Sequence, residues 1–202
     1  MKYFEKEIPE GYERKKYINA KSAKFGIIFN LIAMVILALV MVIAFLPLRG
    51  MEFSSMIESI GLTAYMVSML IFLAGMLGYI VLHELVHGAA YKKLTGEKLT
   101  FGMSWSCAFC GVPNIYVYRK ASLISSAAPL VVFSIILGAL TAILYFVSPW
   151  YYVLSAFVFG MHLGGCSGDM YVILLLLFKF KDETTLIRDT GPEQSFYVKV
   201  EK

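Results

Sequence analysis

Four apolar runs, each longer than the roughly 20 residues a helix needs to cross a ~30 Å hydrocarbon layer, occupy most of this 202-residue chain. They extend from about Phe25 to Leu46, Thr63 to Tyr91, Leu123 to Val147 and Tyr151 to Phe178. Pro47 closes the first, and Ser148-Pro149 parts the third from the fourth. The chain is 59% apolar and 16% charged, well below the roughly 25% charge of soluble domains, and its mean hydropathy is +0.72. The fold class expected is therefore mainly α, a polytopic membrane protein with about four transmembrane helices. Its length allows one integral membrane domain over 1–202. Residues 1–24 are charged and lack a short apolar core with a small-residue cleavage site, so the first span is expected to stay as an anchor.

Charge placement predicts the orientation. Seven basic residues precede the first run (Lys2, Lys6, Arg14, Lys15, Lys16, Lys21 and Lys24). Five lie between the second and third (Lys92, Lys93, Lys98, Arg119 and Lys120), and five follow the fourth (Lys179, Lys181, Arg188, Lys199 and Lys202). Arg49 alone occupies the other two loops. The excess of Lys and Arg on cytoplasmic loops then puts both termini, and the connection between the second and third spans, in the cytoplasm of a multi-pass cell-membrane protein. The net charge of +4 is spread beside the spans and not gathered in one patch, so no nucleic-acid partner is expected. The tail over 179–202 mixes charges and is expected to lie on the surface.

The connection itself has a different texture. From Leu99 to Phe109 the odd positions read Leu, Phe, Met, Trp, Cys, Phe, and the even ones Thr, Gly, Ser, Ser, Ala. That period of two is a strand signal. Gly111-Val112-Pro113-Asn114 supplies turn chemistry, and Ile115 to Tyr118 reads as a returning strand, so a short β-hairpin is expected over 98–120. Cys107 and Cys110 form a lone C-x-x-C without the second pair of a zinc ribbon, and are read as small apolar strand residues.

Late in the second run stands His83-Glu84-Leu85-Val86-His87. On a helix, residues four apart share a face, so His83 and His87 can offer two imidazole nitrogens to one Zn²⁺, with Glu84 beside them as general base toward a water that the metal activates. With 3 His in 202 residues, shuffling would produce this pattern in roughly 0.2% of chains. A carboxylate at that depth is costly unless it is paired or functional.

A catalytic zinc needs a third protein ligand and an open position. Of the 14 acidic residues, twelve fall in the termini and loops. The two inside apolar runs are Glu84 and Asp169, in different helices, which is the distribution expected of a shared site. Asp169 closes the segment His162-Leu-Gly-Gly-Cys-Ser-Gly-Asp169, whose three glycines would weaken a helix and let backbones approach. His162 and Asp169 would share a face but stand about 10 Å apart in rise, too far for both to bind one ion. Asp169 is the favoured ligand. His162 is expected to contact substrate or support the ligands, with direct ligation the less favoured alternative, and Ser167 and Asn114 join it as candidates for substrate or supporting contacts. Cys166 is disfavoured because thiolates usually mark structural zinc.

With these residues in place the chain resembles a family of small bacterial membrane zincin metallopeptidases and, more distantly, the site-2 group of intramembrane proteases. The likeness rests on HELVHG (His83 to Gly88), on AAPL (Ala127 to Leu130) opening the next span, and on Ser167-Gly168-Asp169. It covers about Thr63 to Leu176. In site-2 proteases an aspartate from a later span supplies the third ligand, and a polar residue stands two turns before it, which implies that role for Asp169. His162 stands where those enzymes carry Asn. They also place an uncharged strand or hairpin after the motif helix. Asp169 is followed by Met170 and not by their glycine, and no PDZ-like domain is present in the sequence. The expected function is zinc-dependent cleavage of a membrane protein or peptide within or near the cytoplasmic side of the bilayer. The alternative is a non-enzymatic accessory or immunity-type membrane protein with a structural zinc site. A metal transporter fits less well, because the polar groups gather at one depth.

Overall fold

The computed structural model describes residues 2–104 and 107–200. Trp105 and Ser106 of the expected strand, and Lys202 of the tail, lie outside the described residues. In chain order the elements are β1 (Phe4–Glu5), β2 (Tyr12–Asn19), α1 (Ala23–Phe45), α2 (Phe53–Glu58), α3 (Leu62–Thr95), β3 (Thr100–Met103), β4 (Ala108–Gly111), β5 (Tyr116–Tyr118), α4 (Arg119–Tyr145), α5 (Pro149–Gly165), α6 (Ser167–Leu174), β6 (Leu186–Asp189) and β7 (Glu193–Lys199). Three helices are long and apolar enough to cross a membrane, and a fourth crossing results if α5 and α6, bent by 41°, form one span. Leu62, Leu70, Leu77 and Ile135 are 67–72% exposed, an apolar exposure that suits hydrocarbon rather than water. Helix α3 outruns its apolar stretch by a turn. Lys92 donates to the carbonyls of Gly96 and Glu97 at 2.8 and 3.3 Å, and Gly96, at φ +70°, ends the helix in the left-handed conformation that glycine adopts without strain.

The chain divides into two compact units. The first comprises residues 1–29, 81–129 and 168–202. It holds an antiparallel sheet in the order β1-β5-β6-β7-β2 and the separate hairpin β3-β4. Its core is Ile18, Val117, Ile187 and Phe196 from the sheet, with Tyr91, Ala121, Val172, Leu176 and Phe180 from the helical side. Phe196 is fully buried, contributing about 2–3 kcal/mol, and stacks on Phe180 with ring centres 4.9 Å apart. Helix α6 ends in a π turn over Leu175–Lys179, where Phe180 N–H bonds to Leu175 O. Arg119 at the start of α4 donates to Leu176 O at 2.8 Å, satisfying a carbonyl that the loosened turn exposes.

The second unit comprises residues 30–80 and 130–167. There Met56, Trp150 and Val153 form a buried cluster, and Trp150 Nε1 donates to Ser68 Oγ at 3.0 Å. Helix α1 lies tight on α5: a Cβ at Gly164 would come within 2.8 Å of Ala33 O, and one at Gly160 within 2.8 Å of Leu37. Small residues permit this backbone approach, the device membrane helices use where burial supplies little drive.

Two expectations need correction. The hairpin turn falls within the stretch that alternates from Leu99 to Phe109, pairing Met103 with Ala108 and Thr100 with Gly111. The alternation reads straight through although Met103 pairs with Ala108 and Gly102 with Phe109, which puts the odd residues of β3 and of β4 on opposite faces; periodicity along one chain carries no mark of that inversion. The expected returning strand, β5, joins a different sheet, pairing with β6 and β1, where Val117 and Ile187 are buried against each other's strands. The tail, expected on the surface, supplies β6 and β7, the middle of the five-stranded sheet, and its Leu186, Ile187 and Phe196 are fully buried.

Candidate metal centre

Helix α3 carries His83, Glu84 and His87 on consecutive turns, and α6 brings Asp169 to them in its first turn. The bend after Gly165, where Cys166 N–H caps His162 O at 3.0 Å, starts a new helix just before Asp169. His83 Nε2 lies 3.3 Å from Asp169 Oδ2, and His87 Nε2 lies 3.3 Å from Oδ1. Each carboxylate oxygen thus faces a different imidazole. One ligand atom from each of the three residues lies within 4.8 Å of the others. Ligand atoms around a tetrahedral zinc with bonds of about 2.0–2.1 Å stand about 3.3 Å apart, so the donor set fits that ion. Glu84 is half-buried beside the group.

The orientation of His87 has a cause in the sequence. Pro129, inside α4, has no N–H to bond the carbonyl four residues earlier, which is that of Ser125. His87 Nδ1 takes that carbonyl at 2.8 Å. Because a carbonyl can only accept, the hydrogen sits on Nδ1 and the lone pair on Nε2, toward Asp169. Ser125 Oγ returns a hydrogen bond to His87 O at 3.1 Å. Ser125 went unnoticed in the sequence, although Pro129 in the AAPL run was the signal that could have found it. Pro129→Ala restores the competing helical donor and should weaken zinc binding by the 10–100-fold typical of losing a ligand's orienting partner, measured by chelator competition. Unchanged affinity would show that Ser125 does not hold His87.

Gly88, following the motif, makes room for the hairpin: a Cβ there would meet Phe101 at 2.7 Å and Leu99 at 3.1 Å. Strand β3 therefore lies against the motif helix one residue past His87. Among the described residues β3 pairs with β4 alone, leaving its other edge open.

The remaining candidates are not members of the His83, His87 and Asp169 group. His162 is fully buried in the second unit, its Nδ1 2.6 Å from Tyr79 Oη and its Nε2 3.1 Å from Ser134 Oγ, with Phe133 and Phe159 around the ring. It joins α5 to α3 and α4 by hydrogen bonds. Neither Tyr79 nor Ser134 was anticipated, since an isolated polar residue in an apolar run has no readable partner. Ser167 is buried at the first position of α6, and Asn114 is exposed on the turn before β5; neither belongs to the three-residue group. All three cysteines are free thiols, and burial, with the Asp189 and Glu84 carboxylates nearby, pushes the Cys110 thiol up to about 12, which leaves it unreactive in the β4 strand.

Two histidines one turn apart on a helix, facing a carboxylate from a later helix, make a group that could hold one metal ion in a mainly helical protein with antiparallel strands. Residues 76–184, a little over half of the chain, match the family described as "Putative zincin peptidase", and the chain belongs to that family. No curated protein and no solved structure matches it.

Proposed function

We propose that the protein is a membrane-embedded zinc peptidase that cleaves peptide bonds within or near the cytoplasmic side of the bilayer. The observation that carries this reading is the convergence of His83, His87 and Asp169, with Glu84 on the same turn of α3. A bound zinc supplies Lewis-acid polarisation of the scissile carbonyl and acidifies a water from 15.7 toward about 7. His83, His87 and Asp169 hold the ion. Glu84 takes the proton of the attacking water and passes it to the leaving amine. Ser125 keeps the His87 ring in the tautomer that can ligate. A substrate helix must unwind before its carbonyls are accessible, and the open edge of β3 offers main-chain hydrogen bonds to the extended segment, held against α3 at Gly88.

The purified full chain in detergent micelles should cleave a transmembrane peptide, lose that activity to a zinc chelator and regain it with added zinc. Bound zinc with no cleavage of any such peptide would favour a structural site in a non-enzymatic protein. The distribution of Lys and Arg further predicts cytoplasmic termini and a cytoplasmic hairpin. In intact cells, a variant stripped of its own cysteines and carrying Glu52→Cys should react with an impermeant thiol reagent. The counterpart carrying Lys93→Cys should react only after the membrane is opened. The reverse pattern would put the site near the outer face and direct it toward exported substrates.

A further inference from the structure

Strands β6 and β7 lie beyond the matched residues 76–184, yet they reach the motif helix through one buried carboxylate. Asp189, at the end of β6, is 3% exposed, and Tyr91 of α3 is 2% exposed. Tyr91 Oη donates to Asp189 Oδ2 at 2.7 Å. Gln194 Nε2 donates to the same oxygen at 3.1 Å, and Gly191 N–H donates to Oδ1 at 2.9 Å. The backbone of Asp189 binds the hairpin exit as well, its carbonyl accepting from Val112 N–H at 2.8 Å. Beside it Gly111 packs so closely on Gly191 that no side chain would fit there. One residue thus ties together the motif helix, the end of β4 and the β6–β7 turn.

Tyr91 follows His87 by four residues and His83 by eight, so the three side chains share one side of α3. A hydrogen bond fixed at Tyr91 therefore fixes the rotation of α3 that aims both imidazoles. Three donors converge on this carboxylate, an arrangement complementary to the ionised form. Burial opposes it, holding Asp189 up to about 6 despite those hydrogen bonds. A carboxylate buried at such a cost, bonded to the tyrosine one helical turn past His87, has no need to be there for packing alone, since an apolar residue would fill the space more cheaply.

We infer that Asp189, acting through Tyr91, is a positioning residue that sets the rotation of α3 and its distance from the hairpin, so that His83 and His87 are held ready for the metal. This rests on the proposed zinc site. It makes the strands β6 and β7 part of the catalytic unit.

The test is zinc affinity, by chelator competition, together with thermal unfolding, on the purified full chain. Tyr91→Phe removes a single hydroxyl, and Asp189→Asn keeps the shape while removing the charge. Each should weaken zinc on the order of tenfold, the low end of the range for residues that orient ligands, and the double variant should be no weaker than either single one. Phe196→Leu, a lesion in the core of the same sheet, serves as the control for a merely structural role: it should lower the melting temperature and leave zinc affinity unchanged. Should Asp189→Asn fail to fold, Tyr91→Phe decides the matter alone. A wild-type chain that binds zinc while Tyr91→Phe binds it equally well overturns this proposal and leaves the zinc site standing. So does a Phe196→Leu protein whose zinc affinity falls in step with the variants. A wild-type chain that binds no zinc overturns the site and the proposal together.

Discussion

Glu84→Gln should bind zinc like the wild type and hydrolyse peptide at least 10²–10⁴-fold more slowly, the loss typical of removing a general base. The substitution keeps the size and shape of a half-buried side chain on α3, so packing changes little. Glu84 stands outside the group of His83, His87 and Asp169 whose ligand atoms converge, so the metal has no reason to leave. What disappears is an oxygen able to accept the proton of the attacking water. The amide of Gln can still hydrogen-bond that water, which is why turnover should fall while substrate binding persists. Zinc content and single-turnover cleavage, measured on the same preparation, separate the two effects. A Glu84→Gln protein that cleaves at the wild-type rate would sink the assignment of the base, and one that loses zinc would make Glu84 a ligand.

Asp169→Ala is expected to cost the protein its zinc: one equivalent per chain in the wild type should fall close to none after dialysis against a mild chelator. Each oxygen of Asp169 faces one imidazole at 3.3 Å, so its removal leaves two nitrogens on a single helix with nothing opposite. Two neutral donors are a weak hold for a dication, and the carboxylate charge goes with the ligand. Elemental analysis gives the answer directly. Undiminished zinc in Asp169→Ala would mean that the third donor lies elsewhere, and the bend after Gly165 would then need another explanation. Asp169→Asn refines the result, since it keeps the shape and one oxygen but not the charge.

Much of this chain could be read without coordinates because its strongest signals are local. Apolar runs of spanning length have few ways to exist other than as long helices, and α1, α3 and α4 start and end within a few residues of the runs that announced them. The pair His83 and His87 follows from the 3.6-residue turn. Asp169 could be found because it and Glu84 are the acids inside apolar runs, where a charge is costly enough to require a partner.

The sequence alone therefore determined the long helices, the facing histidines and the identity of the acid that meets them, since each depends on periodicity or on the cost of burying charge. The tertiary structure alone decided which strands pair. Period-two alternation is blind to where a hairpin turns and to which edge a strand joins, so β5 and the charged tail gave no sign that they share a sheet. It also decided the fate of Asp189, one acid among five in a polar tail by composition, buried under Tyr91 by the fold. And it revealed the carbonyl of Ser125, left open by Pro129 and filled by His87. Hydrogen bonds between elements far apart in the chain depend on packing partners that no local pattern names.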